Sequence, residues 1–380
     1  MTKLLPRTAV LILGIGLASC QGTPDVVLHP TAENIQSVTD PRFVLHEDTS
    51  DTAPYMGAST LEGILIGAEQ GEPLEMIGTV RDVDISADGL YYVDFVYGHV
   101  RVYDSRGTLT SVIGKRGDGP GEFSSVRKVS ITETKDGPLL IVGASSYKVS
   151  VFQQEGDTWV LRNSFQTTYS LGDGDLCAMH GHVYTIGYSE EYPGVIHKHT
   201  LEGELVLSFG KPYNDPDPFI RWNLSERGTL DCNETHRVIA YADDLNPVVT
   251  GFSDTGVIRW RIELADANIA PTPQRRTDDG RTSIGFSSPG NGNTSSIEFI
   301  PGTDPDVFLV SYYIYGLEGA EQQHLYSVGA VSGNGDYIGY HPFRIDSASV
   351  SVRALDVQRI YTTTYKGYPQ IGIYPRPGAL

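Results

Sequence analysis

Basic residues are scarce in this chain. Its 380 residues hold 28 Lys and Arg against 47 Asp and Glu, a formal charge of −19. A surface this acidic repels phosphate backbones and anionic headgroups, which excludes general nucleic-acid binding. Cysteine is sparse too. Three residues, Cys20, Cys177 and Cys232, cannot build a disulfide-dense scaffold. Past residue 20 no apolar run approaches the roughly 18 residues that span a bilayer. Helical periodicity is nearly absent, and neither catalytic signature, Gly-x-Ser-x-Gly or His-Glu-x-x-His, occurs. What remains is 39% hydrophobic residues and 42 glycines, enough for a folded core and many turns.

The first 20 residues read MTKLLPRTAVLILGIGLASC. Lys3 and Arg7 precede a short apolar stretch at 11–17, the pattern of an export signal removed in the mature protein. Leu17-Ala18-Ser19-Cys20 resembles a bacterial lipobox. The resemblance implies a signal peptide over 1–19, cleavage before Cys20 and a diacylglycerol on its sulfur. The membrane is then reached by the lipid anchor only. Loss of Lys3 and Arg7 takes the charge from −19 to −21. Gln21 in place of Asp points, by the sorting rule of that resemblance, to the outer membrane. Residues 20–60 are rich in Pro, Thr, Ser, Asp and Glu and read as a flexible tether, with one short segment at 42–46 docking on the domain. The domain itself is 61–380.

A strand, an acidic-Gly turn and a second strand recur along that domain. The marker glycines are 63, 107, 156, 203, 256 and 335, spaced by 44, 49, 47, 53 and 79 residues with 45 after the last. Such periods suit a propeller blade of four strands. Alternating segments precede the markers, the clearest at 90–95 with 100–103, 139–142 with 149–152 and 183–187 with 195–199. The first marker lacks a full blade before it, and three strands follow the last, at 350–357, 359–364 and 370–374. The expected fold is therefore all-β: a six-bladed β-propeller of four-stranded antiparallel blades, with the N-terminal strand at 63–66 closing the last blade.

Residues 81–123 carry more than rhythm. They run from Arg81-Asp82-Val83-Asp84 through Asp88-Gly89, Tyr92-Val93-Asp94 and Val102-Tyr103-Asp104 to Gly114-Lys115-Arg116-Gly117-Asp118-Gly119-Pro120-Gly121-Glu122-Phe123. This stretch resembles the NHL-type repeat and, beyond it, the bacterial six-bladed β-propeller lipoproteins. The resemblance implies that the Gly-rich segment is a crossover between blades, with Phe123 packed between sheets. A phosphate loop is excluded, because no Gly-Lys-Ser/Thr and no helix follows. The Arg116-Gly117-Asp118 tripeptide is accounted for by the same turn.

Several constellations could carry function. Cys177 and Cys232 each lie six residues before a valine of the next strand, Val183 and Val238, so they hold one repeat position in neighbouring blades. A disulfide, two buried thiols and thiolates aimed at a channel metal all fit that position. His197 and His199 share one strand face and read as solvated residues, with half a zinc site as the sharper alternative. Asp84, Asp231 and Glu298 sit on predicted inner strands, where oxygen ligands could converge on Ca or Zn in the central channel. The sequons at Asn223, Asn233 and Asn293 read as accidental. Two insertions, 211–228 and 265–295, supply a candidate binding rim: Phe219, Arg221, Trp222, Arg275 and Arg276.

The functional expectation is a non-enzymatic, lipid-anchored binding or scaffold module at the cell envelope, without a cofactor, whose partner is an envelope protein, peptide or glycan. The alternative is a metal-dependent propeller enzyme, lactonase- or lyase-like, with a channel site.

Overall fold

The computed structural model describes residues 25–27, 35–38, 55–56 and 63–376, except 145–146, 172–173, 193, 246–247, 265–272, 287–291, 302, 304–305, 315–322, 332–336, 346–349 and 365–366. The leader, Cys20, the segment 42–46 and Gly335 lie outside the described residues.

Four short strands come first: β1 (Asp25–Val27), β2 (Ile35–Val38), β3 (Tyr55–Met56) and β4 (Ile64–Ile66). Four-stranded antiparallel meanders follow. The first is β5 (Val80–Ile85), β6 (Leu90–Asp94), β7 (His99–Tyr103) and β8 (Leu109–Ile113). The next is β9 (Val126–Thr134), β10 (Gly137–Ala144), β11 (Lys148–Glu155) and β12 (Thr158–Gln166). Then come β13 (Leu176–Met179), β14 (His182–Ile186), β15 (Ile196–Thr200) and β16 (Leu205–Phe209). After a helix, α1 (Pro218–Ser225), the chain forms β17 (Thr229–Asn233), β18 (Val238–Ala242), β19 (Val248–Ser253) and β20 (Ile258–Leu264).

A separate hairpin, β21 (Pro273–Asp278) with β22 (Arg281–Phe286), intervenes. The meander β23 (Gly292–Phe299), β24 (Asp306–Ile314), β25 (Gln323–Val331) and β26 (Tyr337–Ile345) resumes the pattern. Last come β27 (Val350–Leu355), β28 (Arg359–Thr364) and β29 (Gln370–Pro375), and β29 pairs antiparallel with β4 through Ile371 to Ile66 and Ile373 to Ile64.

Each unit begins with a strand that stands beside the first strand of the next unit, and β27 stands beside β5. Second strands are covered on both faces by neighbouring sheets. Every residue of β6 and β18 is buried, and so is all of β14 past His182. The sheets pack face to face through Phe123 on Phe152, Phe209 on Phe252 and Trp260 on Phe308. The turns at Gly107 and Gly203 adopt φ of 78° and 95°, the left-handed region that glycine enters without a Cβ penalty. The Gly-rich segment is a crossover from β8 to β9. Phe123 at its end is fully buried between the two sheets.

Three expectations change. The stretch read as a flexible tether contains strands: β1, β2 and β3 lie parallel to β16, β20 and β26. A fourth strand leaves one row of backbone groups unpaired, and a passing extended segment takes them up. The insertion 211–228 holds α1, started by Asp217, whose side chain accepts the Phe219 N–H, and by Pro218 in the first turn. Within the insertion 265–295 lies the β21–β22 hairpin, turned by Asp279 at φ 51° and Gly280 at φ 75°.

Candidate functional site

The first strands are stitched to one another by side chains. Asp82 and Asp84 of β5 accept the N–H groups of Val129 and Ile131 on β9 at 2.9 and 2.7 Å. Asp175, just before β13, accepts from Leu230 on β17 at 3.3 Å. Thr229 and Asp231 of β17 accept from Ile297 and Phe299 on β23 at 2.9 and 2.5 Å. Each of these bonds ties one blade's first strand to the next across the seam.

Asp82, Asp84, Asp175, Asp231 and Glu298 border one cavity of about 10 Å³, room for about one water. Burial there disfavours the carboxylate form. It raises Asp82 from 3.8 to about 6, against the pull of Lys128, and Asp84 from 3.8 to about 7. Asp231 and Glu298 are pushed well above the usual range for the same reason, reinforced by neighbouring carboxylates. Lys128 answers the charge. Its ammonium is 3.1 Å from Asp175 and 3.8 Å from Asp82. Burial alone would lower it, yet Asp175 and Asp82 outweigh that and hold it above its ordinary value.

Among the described residues no group of three or more His, Cys, Asp or Glu is placed to hold a metal ion. Asp84 and Asp231 each accept two backbone N–H groups, one from their own strand's next residue and one across a seam. That donor geometry suits carboxylates as seam acceptors. Cys177 and Cys232 form a disulfide, with Cα atoms 5.6 Å apart.

The histidines depart from their sequence reading. His197 and His199 are buried, not solvated, because β15 is covered on both faces. His197 Nδ1 lies 2.6 Å from the Ser208 hydroxyl and Nε2 3.1 Å from the Gly187 carbonyl oxygen. His199 Nε2 bonds the Tyr169 hydroxyl, which also bonds Thr185. Burial lowers His197 from 6.5 to about 3 and His199 to about 4, so both are neutral. They are core hydrogen-bonding groups.

The two insertions meet. In a meander the connections between blades all leave from the edge that carries the second-to-third-strand turns, so α1 and the β21–β22 hairpin share one face. There α1 lies against β21. Ile220, Leu224 and Leu245 form a small core with Tyr213 and Ile284. The Arg275 guanidinium sits 4.9 Å from the centre of the Phe219 ring and 3.7 Å from Asp217. Trp222 is 39% exposed and stands edge-on to Tyr188 at 5.5 Å. Arg221 is half-buried, and Arg276 on the hairpin is exposed. Five predicted rim residues are therefore assembled on one structure, joined by Tyr188 from a neighbouring loop. The sequence reading missed Asp82, Lys128, Asp175 and Tyr188. Only the Asp82-x-Asp84 spacing, which puts both carboxylates on one strand face, could have drawn attention to the first.

Residues 73–170 match the DUF5128 family model, described as a 6-bladed beta-propeller. A member of the DUF4221 family from Bacteroides vulgatus aligns with a TM-score of 0.51 at 10% identity, covering 83% of this chain and 97% of that one. A protein from Bacteroides fragilis, whose export is inferred, aligns with a TM-score of 0.53 at 10% identity, covering 90% and 99%. The chain is a β-propeller. Comparison with curated proteins finds no match. At this identity the likeness speaks for the fold of the propeller alone.

Proposed function

We propose that this propeller is exported, anchored by a lipid on Cys20 in the outer membrane, and acts as a binding or scaffold module at the cell envelope. In this reading the ring has six blades, and the pairing of β4 with β29 closes it. The observation that carries the binding role is the insertion rim. Two stretches distant in sequence fold against each other through Arg275, Phe219 and Asp217 and leave Trp222 and Arg276 exposed. Exposed aromatic and arginine side chains on a rigid support are what protein and glycan partners use as anchors. The partner is an envelope protein, peptide or glycan.

The axial carboxylates favour the rival reading, a lactonase- or lyase-like enzyme using Ca or Zn, because raised carboxyl groups cluster at catalytic sites. Their hydrogen bonds to backbone N–H groups support a seam role and a protein without a metal cofactor. Two measurements separate the readings. Fatty-acid labelling of the full chain in a Gram-negative host is expected to mark the wild type and not Cys20→Ser. Elemental analysis after dialysis against metal-free buffer is expected to find no stoichiometric Ca or Zn. One ion per chain, lost in Asp84→Ala or Asp231→Ala, would overturn the binding-module reading in favour of the enzyme.

A further inference from the structure

On the face opposite the rim, a cleft of about 760 Å³ opens between the β9–β12 and β13–β16 blades. That size lies within the range of small-ligand sites. Its inner wall is apolar, made by Leu139, Val151 and Leu201. Its polar groups are unbalanced: Glu133, Asp136, Glu202 and Glu234 against Lys135 and Arg162. Arg162 is already paired with Glu155 outside the cleft, which leaves the acids further in excess. Among the described residues that line it there is no Phe, Tyr or Trp to stack on a sugar ring.

One carboxylate is held in place in advance. Glu234, on the turn after β17, accepts the Thr132 hydroxyl of β9 at 3.0 Å and the His180 backbone N–H of the β13–β14 turn at 3.3 Å. The His180 ring is 3.5 Å from the same carboxylate. Three blades thus fix one acceptor at the mouth of the cleft. Glu133, nearby, is raised by burial and by the charges of Asp88 and Glu234, so the local potential is negative.

The geometry points to a site for a lysine or arginine side chain of a peptide. The aliphatic stem of such a side chain matches the apolar wall, and its cationic head matches the acids. This site is independent of the insertion rim and of whatever the rim binds.

The test uses the full chain purified in nonionic detergent and titrated with trilysine by calorimetry. Saturable binding is expected, lost when the peptide is Nε-acetylated. Glu133→Gln with Glu202→Gln is expected to weaken it at least tenfold. Both residues are exposed, so the double variant keeps its fold. Trp222→Ala is expected to bind as the wild type. Absence of saturable binding, equal binding of the acetylated peptide, or full affinity in the double variant would overturn the proposal. A loss confined to Trp222→Ala would overturn it too, by moving the site to the rim.

Discussion

Cys177 and Cys232 join neighbouring blades at the register step where other seams place a carboxylate against a backbone N–H. Across the β13–β17 seam, Asp175 to Leu230 and Cys177 to Cys232 are both separated by 55 residues. Across β5–β9, Asp82 to Val129 and Asp84 to Ile131 are both separated by 47. Across β17–β23, Thr229 to Ile297 and Asp231 to Phe299 are both separated by 68. In each case the two links sit two residues apart on one strand face. The disulfide is therefore the covalent form of a repeated device.

Cys177→Ser with Cys232→Ser reopens a 55-residue loop in the unfolded chain. Loop-closure entropy puts the loss near 4 kcal/mol. Urea unfolding is the measurement, and reductant applied to the wild type should reproduce the shift. An unchanged midpoint in both would refute the link as a stabiliser.

Lys128 neutralises the axial carboxylates. Lys128→Met leaves Asp82 and Asp175 facing each other without a cation, a loss of about 3 kcal/mol at pH 7.5. The sign of the pH effect follows from linkage. Asp82 and Asp84 keep protons in the fold up to about 6 and about 7, while the unfolded chain releases them near 3.8. Their stabilising contribution is full below 3.8 and is lost as pH rises through 6 to 7. The penalty of Lys128→Met should therefore shrink toward pH 5. A penalty that is flat from pH 5 to 7.5 would contradict this electrostatic role.

The buried histidines titrate out of the usual range. His197 and His199, lowered to about 3 and about 4, should show no imidazole protonation between pH 5 and 8 in nitrogen-15 NMR spectra. Their linkage runs the other way. The stability they contribute is present above 6.5 and is lost as pH falls toward 4. A titration midpoint near 6.5 for either ring would show that it is solvated after all.

The crossover depends on one close approach. A Cβ on Gly114 would lie 2.2 Å from the Phe123 ring, and the residue sits at φ 76°. Gly114→Ala should cost about 1–3 kcal/mol and Phe123→Ala about 3–5 kcal/mol. Denaturation of the pair of single variants and the double would show strong non-additivity, because both disturb the same contact.

The fold was legible wherever the signal is local. Alternating strands and acidic-Gly turns announce themselves within a few residues, and the observed strand at Arg359–Thr364 has the predicted bounds. The seams were not legible, because their partners lie 47, 55 and 68 residues apart and no short-range pattern marks them. His197 and His199 were misread for a related reason. Alternation implies a wet face only when a sheet has a single neighbour, and in a propeller each sheet has two. The insertions were misread as loops although Asp217-Pro218 and Asp279-Gly280 signal a helix start and a hairpin turn. The shared face of α1 and the hairpin, and the seating of Arg275 on Phe219, required coordinates.

The binding role of the rim is tested most directly by photocrosslinking in intact cells. A photoreactive residue replaces Trp222 on the rim or, as control, Val357 on the opposite face, which is 56% exposed. The account predicts a discrete adduct from position 222 and none of the same size from position 357. The same adduct from both positions, or none from position 222 in a correctly folded variant, would contradict it.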